Sequence, residues 1–476
     1  MPFNAARLDL ILADHDAHRR PRFNRLWNYY RNHTTPGTPG SAPGSDGSGV
    51  YHLAQEAGLP RRIRRPANGV ERECVIENDI AWRLDTLVEF MFGKPVTIHS
   101  THPDHARGAA IEQFLRQVFD HAGGVQFFQN MALLGSVYGH VDLLVRHQLD
   151  HCSTSPASRI AIDLVDATRG IGLVHADDYR RLEAFALRVD RMREDDDEPN
   201  GVLARIRQRL GRPTASSVET QTLVYTCDQE QRYVERPGMF NTARRLVETE
   251  LNKLNRVPVV HIQNLPLPFS YEGLSDVEPL IPLQDELNTR LSDRANRVTF
   301  QSFKMYLGRG IDGFLDRPVG PGQMWQTDNP DAEIQEFGGG GLDPSETAHI
   351  DEIREALDKT SGVSPVAAGL IRDRIGNLTS ENALRITLMG VIARIQRKRL
   401  TYGRGIEDLC QLILQTADVH GLFRTHPDER AVRLSWPDPL PQNERQQLDN
   451  AAKKLELGVP RRTVLAELGY DEIALT

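Results

Sequence analysis

Residues 257–293 read VPVVHIQNLPLPFSYEGLSDVEPLIPLQDELNTRLSD, and this stretch decides how the rest of the chain is interpreted. It opens with a short apolar run, residues 257–262, which is typical of a buried strand. Asn264 and a proline-rich loop follow, and Gly-Leu-Ser-Asp at residues 273–276 precedes a periodic segment. Apolar residues then recur three or four positions apart, at Val277, Leu280, Ile281, Leu287, Leu291, Ala295 and Val298. This spacing predicts one helix of about 25 residues from residue 274, roughly 37 Å long.

The segments after this helix predict a second helix that returns alongside it. Residues 304–344 are short, β-like and broken by Gly and Pro. Residues 345–360 have a helical pattern, with Ser345 suited to cap the N-terminus. Two long helices joined by such an insert are expected to be antiparallel neighbours, with the insert at their tip. A loop over residues 361–380 and a third, longer helix over about residues 380–420 follow.

The part of the chain before residue 257 combines helices with short strands. Helical patterns cover about residues 4–30, 78–92, 109–121 and 126–135. Strands are predicted near residues 95–98, 136–147, 160–165, 182–189, 219–227, 232–236, 257–262 and 432–436. Low-complexity residues 34–49 are interpreted as a flexible loop, and residues 193–217 as a solvated insertion with a short basic helix. The predicted fold class is therefore α+β, mainly helical, ending in two short helices after residue 439.

The chain of 476 residues has a globular composition and a net negative charge. Hydrophobic residues make up 39% and charged residues 26%, and 57 Lys+Arg against 65 Asp+Glu give a formal charge of -8. A protein that wraps DNA across its surface would be basic, so that class is disfavoured. No apolar run reaches the ~18 residues of a membrane helix, and the N-terminus lacks the order of a signal peptide. Neither a disulfide framework nor a thiolate zinc site is indicated by the widely spaced Cys74, Cys152, Cys227 and Cys410.

Motifs for catalysis are missing from the sequence. No GxxxxGK[ST] phosphate loop, GxSxG nucleophile elbow or HExxH zinc motif occurs. His102 and His105, on either side of Asp104, are one metal candidate, and the acidic residues 195–197 are another. Solvated loop side chains are the simpler interpretation of both. We therefore expect no cofactor, no metal site and no enzymatic activity.

Charge is distributed unevenly along the later helices. Residues 345–360 carry five acidic side chains against two basic ones. Arg394, Arg397, Lys398 and Arg399 form one basic block on the last long helix. Charge alone makes both segments typical of solvated surface faces.

Five stretches, in this order, resemble the portal, or head–tail connector, proteins of tailed bacteriophages, in particular the siphophage type. The most telling is residues 257–293, in which an apolar strand ends in Asn and Gly-x-Ser-Asp leads into a long helix. The others are residues 78–98 (NDIAWRLDTLVEFMFGKPVTI), 127–145 (FFQNMALLGSVYGHVDLLV), 361–399 (SGVSPVAAGLIRDRIGNLTSENALRITLMGVIARIQRKR) and 434–469 (LSWPDPLPQNERQQLDNAAKKLELGVPRRTVLAELG). Each alone is a weak pattern, and together they cover most of the chain. The Gly/Pro-rich residues 34–49 and the short C-terminal segment depart from the family pattern.

The resemblance implies a subunit of a homo-oligomeric ring, normally of twelve copies at the capsid vertex, around a central DNA channel. The resemblance implies a portal fold, in which each segment corresponds to one part according to its place in the chain. These parts are a wing at residues 1–271, stem helices at 272–303 and 345–360, a clip at 304–344, a tunnel loop at 361–380, a long wing helix and returning strand at 381–438, and a crown at 439–476. The implied function is a conduit for DNA packaging and exit. The ring would also attach the terminase and the head–tail adaptors.

The resemblance also implies candidate residues and partners. A conduit must let DNA move in both directions, so an acidic wall with few basic groups near a constriction suits it. The DNA-channel candidates are Arg372, Arg374, Asn377, Glu346, Glu352 and Glu355. The subunit-contact candidates are Leu287, Leu291, Arg394, Arg397, Lys398 and Arg399. The implied partners are further copies of the chain, double-stranded DNA in passage, the terminase large subunit, a head-completion adaptor, and the major capsid and scaffolding proteins. Assembly would take place in the host cytoplasm, and the product would be part of the virion, with no membrane involved.

The sequence leaves two other classes open. Another capsid-associated protein, such as a minor head component, would use the long helices as oligomer contacts without closing a ring alone. A metal-dependent hydrolase or nuclease would need Asp, Glu and His groups that the motif search does not bring together.

Overall fold

A computed structural model describes residues 4–36, 51–64, 72–148, 155–175, 177–192, 218–236, 243–302, 305–309, 330–337, 344–369, 385–440, 444–459, 461 and 464–465. The chain divides into two compact units. The first comprises Met1–Pro21, Leu84–Ser275 and Gly362–Thr476, and the second comprises Arg22–Arg83 and Asp276–Ser361. The predicted loop beyond residue 36, the insertion at residues 193–217 and most of the clip lie outside the described residues.

The helices of the described residues match the helical segments predicted from the sequence, except for a short helix at Arg61–Arg64 that was not predicted. They are α1 (Ala5–Asp14), α2 (Arg20–Arg31), α3 (Arg61–Arg64), α4 (Asp79–Phe92), α5 (His105–His121), α6 (Val125–Tyr138), α7 (Ile281–Ser302), α8 (Pro344–Ser361), α9 (Met389–Val419) and α10 (Glu444–Glu456). A π-helical stretch, His15–Arg19, joins α1 to α2, so the helix predicted over residues 4–30 is confirmed. The predicted start of the last long helix, near residue 380, lies outside the described residues.

The strands form one five-stranded sheet, one three-stranded sheet and three two-stranded pairs. They are β1 (Thr34–Pro36), β2 (Tyr51–Leu53), β3 (Thr97–Ser100), β4 (His140–His147), β5 (Ile160–Val165), β6 (Gly170–His175), β7 (Asp178–Met192), β8 (Val218–Thr226), β9 (Gln229–Arg236), β10 (Ala243–Leu251), β11 (Val259–Gln263), β12 (Met305–Arg309), β13 (Glu333–Phe337) and β14 (Val432–Ser435). The sheet orders are β10-β9-β8-β7-β6 and β11-β4-β5, and the pairs are β1-β2, β12-β13 and β14-β3. The sequence did not predict β1, β2, β6 and β10, and β1 corrects the start of the loop predicted over residues 34–49.

The second unit is built on the helices α7 and α8, which pack against each other. Arg297, near the end of α7, pairs with Glu346 at the start of α8. Earlier on α7, Asn288 accepts a hydrogen bond from the backbone of Glu77, whose carboxylate is 2.8 Å from Arg354, later on α8. The two helices therefore run antiparallel, as the sequence predicts.

The first unit contains both larger sheets and the long helix α9. The three-stranded sheet contacts α6 and α9, and its strands pack through Leu144, Val165 and Val259 against Phe185 and Tyr225 of the five-stranded sheet. Leu8 and Leu12, one turn apart on α1, cover another part of that larger sheet. These apolar contacts fix β4 and β11 side by side in the core, with Leu143 paired to Val260.

None of the helices in the described ranges is both long enough and apolar enough to cross a membrane.

Candidate functional site

The antiparallel pair α7–α8 exposes an acidic face. Ile350, Ile353 and Leu357 of α8 are buried, so the opposite side of this helix faces solvent. Glu352 and Glu355, two of the DNA-channel candidates, are exposed on α8. Glu346 is placed differently, because it is half-buried and ion-paired with Arg297, which compensates its charge.

A polar ladder fixes the extended residues 73–79 along α7. Four side chains spaced four residues apart on α7 accept hydrogen bonds from four backbone N–H groups spaced two residues apart. The pairs, at 3.0–3.1 Å, are Asn296 with Glu73, Ser292 with Val75, Asn288 with Glu77, and Gln284 with Asp79. The spacings match because four helical residues rise about 6.0 Å and two extended residues span about 6.6 Å.

The ladder is buried, and further hydrogen bonds through Gln55 support it. Gln284, Asn288 and Ser292 are fully buried, so each polar atom left without a partner would be costly. The amide of Asn288 also donates to Gln55 Oε1 at 3.1 Å, and Gln55 donates to the carbonyl of Tyr29 at 2.6 Å. The sequence analysis missed this arrangement, although the signal was present as Gln-x3-Asn-x3-Ser-x3-Asn on one helical face.

A buried arginine ties the start of α4 to the end of α8 within the second unit. Arg83 is 1% exposed and lies 2.7 Å from a carboxylate oxygen of Asp79 and 2.7 Å from one of Asp358. It also donates to Ser361 Oγ at 3.1 Å and lies over the ring of Trp82. Such a buried charge is tolerated because acceptors surround it on several sides.

The tunnel-loop candidates Arg372, Arg374 and Asn377 lie outside the described residues. The described part of this loop contains a short 3-10 turn, Pro365–Ala368, which ends at Gly369 with a φ of 78°. That left-handed conformation favours glycine.

The basic block on α9 divides between buried and exposed positions. Lys398 is 1% exposed and its Nζ lies 2.8 Å from Ser136 Oγ, which corrects the expectation that it offers a subunit contact. Arg399 is half-buried, stacks on Trp436 and donates to the carbonyl of Pro437, so it holds the returning segment of its own chain. Arg394 is half-buried and Arg397 is exposed.

The two leucine candidates on α7 also differ in burial. Leu287 is 0% exposed within its own chain, so it belongs to the core of the second unit. Leu291 is half-buried and keeps part of its surface accessible. Leu287 therefore serves to pack the unit, whereas Leu291 retains surface for a neighbour.

The residues of the most telling sequence stretch form a buried polar junction in the first unit. Asn264, directly after β11, donates its backbone N–H to Gly139 O at 2.8 Å and accepts from Tyr402 OH at 3.2 Å. Ser275 Oγ donates to Val137 O at 2.6 Å. Gly139 has a φ of 89°, and a Cβ there would lie 2.4 Å from the carbonyl of Gly273. Asn, Gly and Ser are thus required for close backbone packing between α6 and the loop.

A second buried cluster joins β4 to β11. His261 Nδ1 lies 2.7 Å from Asp142 Oδ1, and its Nε2 lies 2.7 Å from the carbonyl of Tyr271. The Tyr271 hydroxyl donates to the same Asp142 oxygen at 2.6 Å. Burial raises the pKa of Asp142, but the charge and hydrogen bond of His261 outweigh it and lower the pKa below its usual range. Both nitrogens of His261 therefore lie within hydrogen-bonding distance of an oxygen atom, which fixes the orientation of the ring.

His140, in the same cluster, is expected to make the first unit less stable in acid. Its burial lowers its pKa to about 4, against an ordinary value of about 6.5. Between these pH values the unfolded chain binds a proton that the folded chain does not, so the free energy of unfolding falls as the pH falls. The loss from this group would reach ~3 kcal/mol near pH 4. Urea unfolding at pH 7 and pH 4.5 measures it.

A His140→Gln variant supplies the control for this acid effect. The ionisable groups around His140 are Asp142, His261, Glu272 and Arg19, and they stay in place in the variant. We expect the variant to lose part of the pH dependence of the unfolding free energy. An unchanged pH dependence would assign the acid sensitivity to other groups.

Of the metal candidates, the histidine pair His102 and His105 lies at the start of α5. Asp104 caps α5 by accepting from the backbone of Ala106, and His102 lies 3.6 Å from Glu429. Across the described ranges, no three His, Cys, Asp or Glu side chains are grouped so as to hold a metal ion. The acidic residues 195–197 lie outside those ranges. Cys74 and Cys227 are exposed, Cys410 is buried, and all three are free thiols.

The comparisons with known proteins identify one family. The sequence model described as "Phage portal protein, SPP1 Gp6-like" matches residues 9–470. A comparison with curated proteins finds no match. Among solved structures, chains from "Virion of native gene transfer agent (GTA) particle" and "Neck of empty GTA particle computed with C6 symmetry" are each 12% identical. Both alignments cover 80% of this chain and 90% of the other chain, with TM-scores of 0.42 and 0.44, and they add nothing to the family match.

Proposed function

This chain belongs to the SPP1 Gp6-like family of phage portal proteins, and we propose that twelve copies close around a channel for double-stranded DNA. Membership makes it a portal subunit, a virion component that forms the oligomeric ring at the capsid vertex. The family is structural rather than catalytic. We extend this to the chain itself and assign it no enzymatic activity.

The exposed acids of the antiparallel pair α7–α8 are the observation that carries the channel proposal. Glu352 and Glu355 are exposed on α8, and Asp351 lies beside them. DNA carries about one negative charge per 1.7 Å of axis, so an acidic wall repels the duplex and keeps it from sticking. Arg372 and Arg374 would supply the few transient attractive contacts near the constriction.

Each proposed part of the subunit corresponds to particular helices and strands. α7 and α8 are the stem helices, the β12-β13 pair belongs to the clip, α9 is the long wing helix, and α10 belongs to the crown. The tunnel loop would lie between α8 and α9. The remaining helices and sheets up to residue 271 would form the wing.

The proposed partners are a terminase motor during packaging and an adaptor afterwards, both at the clip. The sequence lacks a phosphate-binding loop, so the energy for DNA movement would come from the separate terminase ATPase. The major capsid and scaffolding proteins would surround the wing during assembly in the host.

Deletion of residues 372–376 should leave ring assembly intact and impair DNA packaging. The deleted segment would contact DNA rather than hold the subunits together, so the ring fraction should equal that of the wild type. Electron microscopy of the purified rings and an in vitro packaging assay measure the two effects. We expect packaged DNA to fall at least tenfold.

Two outcomes would count against this proposal. Wild-type protein that stays monomeric or dimeric at every salt concentration would contradict ring formation. Normal packaging by rings of the deleted variant would remove the tunnel-loop assignment while leaving the ring in place.

A further inference from the structure

The long helix α9 has an apolar seam on its exposed side. The outer seam consists of Ile386, in the helical turn just before α9, and Met389, Ala393, Gln396 and Leu400. Its residues are spaced three, four, three and four positions apart, which is the spacing of a helix–helix contact stripe. Ile386 is 70% exposed, Met389 is 63% exposed and Leu400 is 76% exposed.

The inner side of the same helix is already used. Val391, Ile395 and Tyr402 are buried against the first unit. A helix that is apolar on both sides is normally buried on both sides. The three large side chains of the outer seam expose roughly 300 Å² of apolar surface, which is comparable with the largest apolar patch of a typical monomer, a patch that is often functional.

The charges around the outer seam restrict the occupant. Every charged residue from residue 385 to residue 404 is basic, namely Arg385, Arg394, Arg397, Lys398, Arg399 and Arg404. Arg397 and Arg404 are exposed beside the seam, and Arg397 makes no ion pair with any described residue. A partner surface with acidic residues around an apolar strip is therefore complementary, and this chain, with a net charge of -8, carries an excess of acids.

We propose that the outer seam binds a second copy of this chain, an inference that rests on the proposed ring. A ring interface is heterologous, so the seam of one copy meets a different, acidic surface of the next copy. DNA is the other partner that basic residues attract. Protein–DNA contacts are polar, however, and would leave the three large apolar side chains without a function.

Leu400→Glu is the variant that tests this contact, and Leu251→Glu is its matched control. Leu251 is 78% exposed on β10, so the two substitutions are equal in chemistry and in exposure. We expect Leu400→Glu to lower the ring fraction at least tenfold, because it removes apolar contact and places an acid against an acidic surface. Leu251→Glu should assemble like the wild type. Analytical ultracentrifugation and electron microscopy measure the ring fraction, and thermal unfolding confirms that both variants fold.

Photo-crosslinking gives a second, independent readout. A benzoylphenylalanine placed at position 400 should yield covalent dimers and larger ladders in the assembled protein, whereas the same group at position 251 should not. Wild-type protein that forms no ring would refute the proposed function itself. Wild-type rings with equally abundant Leu400→Glu rings and no crosslink at position 400 would overturn only the seam. Intact Leu400→Glu rings with reduced DNA retention would assign the seam to DNA and also overturn it.

Discussion

A Leu287→Asp variant is expected to lose the folded second unit and to form no rings. Leu287 is fully buried on α7, the helix that packs against α8 and carries the polar ladder. An unpaired carboxylate at such a position costs at least about 4 kcal/mol, through lost packing and lost hydration. A domain is stable by only about 5–15 kcal/mol, so a loss of this size is comparable with the whole margin of a domain at the low end of that range. Urea unfolding by circular dichroism and electron microscopy of the purified protein measure the two effects.

Leu291→Asp is the matched control for this prediction. Leu291 lies one turn further along the same helix and is only half-buried, so its new carboxylate keeps contact with water. We expect a loss of stability of about 1–2 kcal/mol and a folded subunit. If Leu287→Asp were as stable as Leu291→Asp, α7 would not be packed as described.

An Arg83→Met variant is expected to destabilise the second unit by about 3–5 kcal/mol. The substitution preserves much of the volume but leaves Asp79 and Asp358 without their cation. Asp79 is buried, so its carboxylate without the neighbouring cation is costly. Trp82, which stacks on Arg83 and donates to Asp79, reports the change through its fluorescence during urea unfolding.

Neutralising both acids should restore much of this loss. In the triple variant Arg83→Met, Asp79→Asn, Asp358→Asn, no uncompensated charge remains, so the free energy of unfolding should rise again by several kcal/mol. A single variant that loses less than about 1 kcal/mol would show that water, rather than Arg83, compensates these carboxylates.

The helices of this fold were predictable because apolar residues repeat at helical spacing over long segments. α4, α7 and α9 have such stripes, and the structure buries most of their residues, although Val298 near the end of α7 is exposed. The strands β6 and β10 were missed for different physical reasons. β6 (GIGLVH) is short and contains two glycines, and β10 (ARRLVETEL) lies at a sheet edge with nearly all its side chains exposed, so it has no apolar alternation.

The residues of the candidate site were less predictable than the fold. The acidic character of α8 could be predicted by counting the charged residues in that segment. The burial of Lys398 does not, because a basic block on a helix gives no sign of which member turns inward towards Ser136. The polar ladder depends on residues 73–79, some 200 positions before α7, so only the three-dimensional pairing reveals why Gln284, Asn288 and Ser292 are polar.

The polar ladder has a mechanical consequence. Its four hydrogen bonds lie side by side along α7, so a force along the helix axis loads all of them at the same time, in shear. A pull away from the helix would open them one after another, starting at residue 73 or residue 79. Residues 73–79 should therefore resist a force parallel to α7 much better than a force perpendicular to it.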